Sequence, residues 1–193
     1  MHQRERIVDA VALTVASYGF SGLTVERVIE SAKVSRSTFY THFQDKRDAM
    51  GTAHESIFER FFTTVTATCD KSEWPLRVRN AIGAALEFAV GKPEQFQILF
   101  PGPATVDLSP QISTSHGRLA ELLEGIRKES PHGAKLPSFT ELFLIAGGGA
   151  VVSGWLAEQS SEGRRSLQQQ LVELLLLPYY GRSRAARLSR RTG

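Results

Sequence analysis

Apolar residues recur three and four positions apart along almost the whole of this chain, and no stretch between turn signals alternates residue by residue. The pattern predicts an all-α protein of about nine helices, with no internal repeat. The first helix, residues 4–18, sets Ile7, Val11, Val15 and Tyr18 on one face and is closed by Gly19, which suits a left-handed C-cap. Thr24 is a good N-cap for a second helix over 25–32, whose buried stripe is Val25, Val28 and Ile29. Ser35 caps a third helix over 36–42. Asp45, with Asp48 three residues on, caps a fourth that runs from about Lys46 to Cys69 and carries Ile57, Phe58, Phe61, Phe62 and Val65.

Five further helices follow. Pro75 opens one that reaches Gly91, Pro93 opens a short one containing Phe96 and Leu99, and Ser109-Pro110 starts one through Leu119, Leu122, Leu123 and Ile126. Residues 101–109 and 130–137 read as loops. A long helix passes through Phe139, Leu142, Phe143, Trp155 and Leu156. The last one, through Leu167, Leu171, Leu174, Leu175 and Leu177, is expected to stop at Pro178. Residues 139–157 are long and apolar enough to span a bilayer, but Glu141, Gly147 to Gly149, Ser153 and Gly154 interrupt them, so a buried helix is expected.

The third helix is the informative one. Phe39 and Phe43 lie four apart and anchor it, with Val34 beneath; this leaves Arg36, Ser37, Thr38, Tyr40, Thr41 and His42 on its remaining surface. A seven-residue helix with two strong apolar anchors is too polar to be core. Helix, tight turn and polar helix together have the layout of a helix-turn-helix, whose second helix enters the DNA major groove. Arg36 suits either a bidentate contact to guanine O6 and N7 or a phosphate clamp, and Ser37, Thr38 and Thr41 can reach base edges or a thymine methyl. Ser35 and the amides it caps can meet a phosphate, and Tyr40, His42 and Lys46 suit phosphate contacts that fix register.

The run Val34-Ser35-Arg36-Ser37-Thr38-Phe39-Tyr40-Thr41-His42-Phe43, followed by Asp45-Lys46, strongly resembles the N-terminal domain of TetR-family transcriptional regulators. The close match covers residues 4 to about 50; beyond it, only helix number, length and pattern agree. The resemblance implies that Thr24, Tyr40, His42 and Lys46 touch phosphates and that positions 36, 37, 38, 40 and 41 face bases. Where the family often has glycine in the turn, this chain has Lys33, which then has to adopt positive φ and could gain a phosphate contact.

The same resemblance implies an organisation into a helix-turn-helix domain (1–47), a helical effector-binding and dimerisation domain (48–181) and a tail (182–193). A two-fold dimer would set two recognition helices about one DNA turn apart on a palindromic site. Gly148, Val152, Trp155, Leu171, Leu174 and Leu175 are the candidate dimer contacts, the glycine run allowing close backbone approach. Phe58, Phe61, Phe62, Phe88, Phe96, Phe100, Phe139 and Phe143, with His116 as a polar marker, are the candidates to line an apolar cavity. An uncharged or amphipathic apolar effector is expected, and it must prefer the conformation that does not bind DNA.

Charge changes one part of this picture. The net +3 and the pI near 9.2 suggest a basic, nucleic-acid-binding surface, but five arginines and no acid lie in residues 182–193. Residues 1–181 hold 18 basic and 20 acidic groups, a net of −2, so whole-chain charge says nothing about the reading helix. The tail is expected to be a disordered, solvated terminus, or else a non-specific phosphate contact. A lone cysteine, Cys69, excludes a disulfide framework, and the N-terminus has no apolar signal core; both suit the cytoplasm.

Nothing points to catalysis. The histidines His2, His42, His54, His116 and His132 show no metal-ligand spacing, no G-x-S-x-G elbow occurs, and the triple glycine lacks the lysine of a phosphate loop. No cofactor or metal is expected. The expectation is a dimeric, ligand-responsive DNA-binding repressor; an architectural DNA-binding protein without an effector is the alternative.

Overall fold

The first three helices form because each start carries its cap and each buried stripe has a neighbour to meet. In a computed structural model that describes residues 3–68, 73–101, 109–158 and 163–190, α1 (Gln3–Tyr18) buries Ile7, Val11 and Val15, and ends at Gly19, where φ is +69°. Helix α2 (Val25–Ala32) and helix α3 (Arg36–His42) pack beside it, followed by α4 (Lys46–Thr66), which is about 31 Å long at 1.5 Å per residue. Then come α5 (Trp74–Gly91), α6 (Pro93–Leu99), α7 (Ser109–Glu121), α8 (Glu124–Glu129), a 3-10 turn at Gly133–Lys135, α9 (Thr140–Ala157), α10 (Arg164–Tyr180) and α11 (Arg182–Ser189). No strand occurs among the described residues.

The all-α expectation stands, with eleven α-helices described where nine are expected. One extra comes from the segment after Ser109. It is expected as a single helix, but the amides of Leu122 and Leu123 bond back only three residues, to Leu119 and Ala120, and the chain restarts as α8. The other is α11. Residues 182–189 are not a disordered tail: Ala185 and Ser189 are buried, Ser189 Oγ donates to Glu173, and the Arg79 guanidinium donates to the carbonyls of Leu188 (3.1 Å) and Ser189 (2.6 Å). Those last carbonyls of a helix need donors, and Arg79, far away in sequence, supplies them.

Two helix ends also differ from expectation. Helix α4 stops at Thr66, before Cys69, which lies outside the described residues, as do His2 and Arg191. Helix α10 runs through Pro178 to Tyr180, because a proline so close to the end forfeits only one bond, and Gly181, with φ +73°, turns the chain into α11.

One apolar core runs through both parts of the chain. Ile7, Val11 and Phe39 from the first three helices belong to the same cluster as Ile57 and Phe61 of α4, Leu86 of α5, Phe96 of α6 and Val152 of α9. A smaller cluster, built on Val78, Ile126, Leu176 and Tyr179, joins α5, α8, α10 and α11. Between them, Glu141 at the start of α9 accepts two bonds from Arg127 (2.9 and 2.7 Å) and one from the Tyr179 hydroxyl (2.7 Å). Burial pushes the Glu141 carboxyl up, but those donors outweigh it and hold it below the usual carboxylate range. Arg127 also donates to the carbonyls of Leu136 and Pro137, so α8, the following loop, α9 and α10 meet at one carboxylate.

Helix α9 departs from the buried helix expected of it. It is long and apolar enough to cross a membrane, yet only Glu141, Gly149 and Val152 are buried in the single chain, and Phe139 and Phe143 are about three-quarters exposed. At Gly149 the Phe100 ring lies where a side chain would be, since an added Cβ would come within 1.9 Å of Phe100 Cδ1. Gly149→Ala should therefore cost about 1–3 kcal/mol in urea unfolding. Gly147→Ala, where the added methyl meets nothing within 4 Å, should be neutral or stabilising by up to about 1 kcal/mol. Equal effects would contradict the packing described.

His54, buried in α4, is a pH-sensitive group of the core. Burial, and then the nearby His116, lower its pKa from 6.5 to about 4. The unfolded chain therefore takes up the proton first. The stability tied to neutral His54 is complete above pH 6.5 and is lost as pH falls towards 4. Over that window the wild type should lose more stability than His54→Leu; parallel curves would refute the assignment.

Candidate functional site

The turn between α2 and α3 closes with a Schellman pattern, in which the Val34 amide bonds to Ile29 O (3.1 Å) and the Lys33 amide to Glu30 O (3.2 Å). Lys33 takes the left-handed conformation this requires, φ 52° and ψ 51°. The Arg6 guanidinium of α1 braces the turn from behind, donating to the carbonyls of Ala32 (2.5 Å) and Lys33 (3.0 Å). Thr24 Oγ1 accepts from the Arg27 amide, and Arg27 itself lies over the Tyr18 ring and donates to Gly22 O. Ser35 Oγ accepts from the Thr38 amide (3.0 Å) and also bonds the Thr38 hydroxyl.

With its ends fixed, α3 is held by Phe39, which is fully buried, and Phe43 just beyond it. Their rings lie 5.6 Å apart, and Tyr40 meets Phe39 edge-on while staying half exposed. Arg36, Ser37, Tyr40 and Thr41 are exposed; Thr38 and His42 are half-buried. Thr41 Oγ1 donates back to Ser37 O, and the Lys46 ammonium donates to Leu23 O (3.1 Å), tying α4 to the approach of α2. Asp45 accepts from the amides of Arg47 and Asp48, which lower its pKa, while Asp48 accepts from Gln44 N. What results is a rigid, short helix showing solvent a surface of hydroxyls, a phenol and a guanidinium.

A second feature lies in the larger part. A groove of about 870 Å3 runs between α5, α9 and α10, floored by Phe61, Phe96 and Phe100 and flanked by Ala81, Ala85 and Leu175. Its size falls within the range of small-molecule sites, about 300–1,000 Å3. Almost all of its lining is apolar, and Arg77, laid over the Trp74 ring, is the charged side chain along it.

Comparison with known proteins separates these two features. The sequence profile of the bacterial regulatory proteins of the tetR family matches residues 7–51, which contain α2, α3 and their turn but not the bracing Arg6. Residues 7–51 thus match the DNA-binding domain of the tetR family. The HTH-type transcriptional repressor DhaR of Mycobacterium sp. (strain GP1) is 25% identical over 123 residues, 63% of this chain and 60% of that protein, so the match spans less than two-thirds of the relative. Among solved structures, the fatty acid degradation regulator FadR from Bacillus halodurans has a TM-score of 0.77 at 17% identity, covering 91% of this chain and 95% of that one. FadR from Bacillus subtilis, solved in complex with stearoyl-CoA, has a TM-score of 0.70 at 17% identity over 92% and 98%. At these identities the structural likeness shows that the TetR-family fold extends through the larger part as well.

The sequence-derived candidates sort unevenly onto this TetR-family frame. Thr24, Lys33, Ser35 to Thr38, Tyr40 to His42 and Lys46 all lie in or beside the two helices and their turn. Of the cavity candidates, Phe61, Phe96, Phe100, Phe139 and Phe143 line the groove; Phe58, Phe62, Phe88 and His116 do not. Phe58 and Phe62 face Arg118, which is paired with Glu59, and Phe88 packs edge-on against Phe61. His116 stacks behind Phe100 with Nε2 on Leu99 O (3.1 Å). The dimer candidates Gly148, Val152, Leu171, Leu174 and Leu175 border the same groove, Val152 and Leu171 being buried in the chain's own core and Leu174 half exposed; Trp155 packs on that core.

Sequence reasoning missed Arg6 and Arg27, which hold the reading helices' backbone, and Glu26, which binds Arg36. No spacing rule picks out an arginine 26 residues from its acceptor; Glu26 and Arg36, as opposite charges near the turn, were there to be noticed. The left-handed Lys33 carries a test of its own. Lys33→Gly should stabilise the protein by about 0.5–1 kcal/mol in urea unfolding, because glycine adopts that conformation without steric cost. No gain would mean that the lysine side chain compensates for its backbone.

Proposed function

We propose that this protein is a ligand-responsive transcriptional repressor that binds a palindromic operator as a homodimer and is released by a small apolar or amphipathic effector. The observation that carries the reading is α3: two buried aromatic anchors fix it, and its other side chains are hydrogen-bonding groups turned to solvent. In this reading Arg36, Ser37, Thr38, Tyr40 and Thr41 face bases, while Thr24, Lys33, Ser35, His42 and Lys46 meet phosphates. It is a cytoplasmic DNA-binding protein, not an enzyme, and it uses no cofactor.

Two features favour the dimer and the effector. The exposed apolar residues Phe139, Phe143, Val151, Leu174 and Leu177, at the N-cap of α9 and along α9 and α10, also line the groove, so one uncovered apolar surface serves an effector and a second copy. The groove's apolar lining suits an aliphatic chain. The likeness to a FadR solved with stearoyl-CoA agrees with a long-chain acyl compound. Such a ligand shifts the equilibrium only to the extent that it binds the DNA-free form better.

Selection from random duplex DNA followed by titration at about 150 mM salt tests this. A preference of at least about 10³ for a selected palindrome over random sequence is expected, and a long-chain acyl ligand should both raise Tm and lower operator occupancy. A preference below about tenfold would support an architectural DNA-binding protein in place of a repressor.

A further inference from the structure

Arg36 stands first in the reading helix, and its chemistry allows two roles that sequence does not separate: a reader of guanine or a clamp on phosphate. In the folded protein its guanidinium is already engaged. Nη2 lies 2.5 Å from Oε1 of Glu26, a residue in the first turn of the preceding helix α2. Both side chains are more than half exposed, 56% for Arg36 and 62% for Glu26. An acid in a first helical turn is favourable by itself, but an ion pair this open contributes little to folding, so stability does not account for its pairing with Arg36.

The pair makes sense only when the surface is occupied. A phosphate oxygen on Arg36 would stand close to the Glu26 carboxylate, and two like charges around one guanidinium oppose each other. A guanine edge offers O6 and N7, which are neutral acceptors, so no such opposition arises. The guanidinium has five N–H donors in a fixed plane; one held by Glu26 leaves two adjacent donors for a bidentate contact and fixes the plane in which they point. A carboxylate can also accept from cytosine N4, the group a G·C pair presents beside the guanine edge. Its own backbone amide and then the Arg36 bond hold the Glu26 carboxyl below the usual carboxylate range. It therefore stays charged wherever the protein would meet DNA.

We infer that Glu26 is a positioning residue that holds Arg36 for a guanine in each half-site and keeps it off the phosphate backbone. Glu26 thereby trades affinity for discrimination: its charge repels the DNA backbone, and in return it aims the arginine at one base pair. This rests on the DNA-reading function proposed above.

The test is selection from random duplex DNA with the full chain, followed by binding measurements on every single-base variant of the selected site. With the wild type, one symmetric pair of positions should require guanine. Arg36→Ala should abolish the preference there and nowhere else. Glu26→Ala should cut discrimination at those same positions by about tenfold while tightening binding to non-specific DNA and steepening its salt dependence, with Glu26→Gln falling between the two. A merely structural role for Glu26 would weaken binding to all sequences alike. If Glu26→Ala left the preference at the Arg36 position intact, or acted at a different position, the inference would fail while the repressor reading stood. If the wild type enriched no sequence at all, both would fall.

Discussion

Everything this protein is built to do depends on the core that α1 shares with α4 and α6. Ile7, Val11 and Val15 are buried together with Ala53, Ile57, Phe61 and Phe96, so α1, which packs on α2, sits directly on helices that line the groove. No flexible linker separates the two, since α4 begins at Lys46, directly behind α3, and continues into the body. Polar ties reinforce the joint: the Gln95 amide donates to Asp9 on α1, and Arg60 on α4 pairs with the same carboxylate. Close-packed interiors transmit strain, so in the proposed function a displacement of Phe61, Phe96 or Phe100 at the groove would reach α1 and the helices beside it.

The larger part meets a different constraint. Helix α9 is apolar on more sides than the chain can cover, packing on α7 and touching α5 and α6 while leaving Phe139 and Phe143 in solvent. Its N-terminus is fixed by Glu141 in the grip of Arg127 and Tyr179, and its middle by Phe100 against Gly149 and Ser153 on Phe100 O (2.9 Å). A helix pinned at two points with an open apolar side borders the groove on one flank. In the proposed function, ligand and second copy would share this apolar surface, which gives a physical route for each to influence the other.

What could be read in advance follows from how far apart the interacting residues lie. The caps at Thr24, Ser35 and Asp45, the anchors Phe39 and Phe43 and the left-handed Lys33 all arise from contacts within a few residues, and all were legible in the chain. The helix at 182–189 was not, because its reason to fold is Arg79, more than 100 residues away, and its three arginines without an acid point the other way. The groove was half legible: aromatic spacing on α4 and α6 identifies inward-facing rings, but whether a ring meets a cavity or another ring is decided by helices that arrive later. Hence Phe96 and Phe100 line the groove, while Phe58 is covered by Arg118.

In the proposed function DNA is read by α3 through shape and hydrogen bonding, while the basic helix α11, folded against α10 and α5, takes no part. Hydrogen exchange on the full chain with and without a selected palindromic duplex tests that division directly. Slowed exchange is expected around Thr24 and across residues 35–46, with residues 182–190 unchanged. Protection concentrated in the arginine-rich helix, with α3 exchanging as in the free protein, would contradict it.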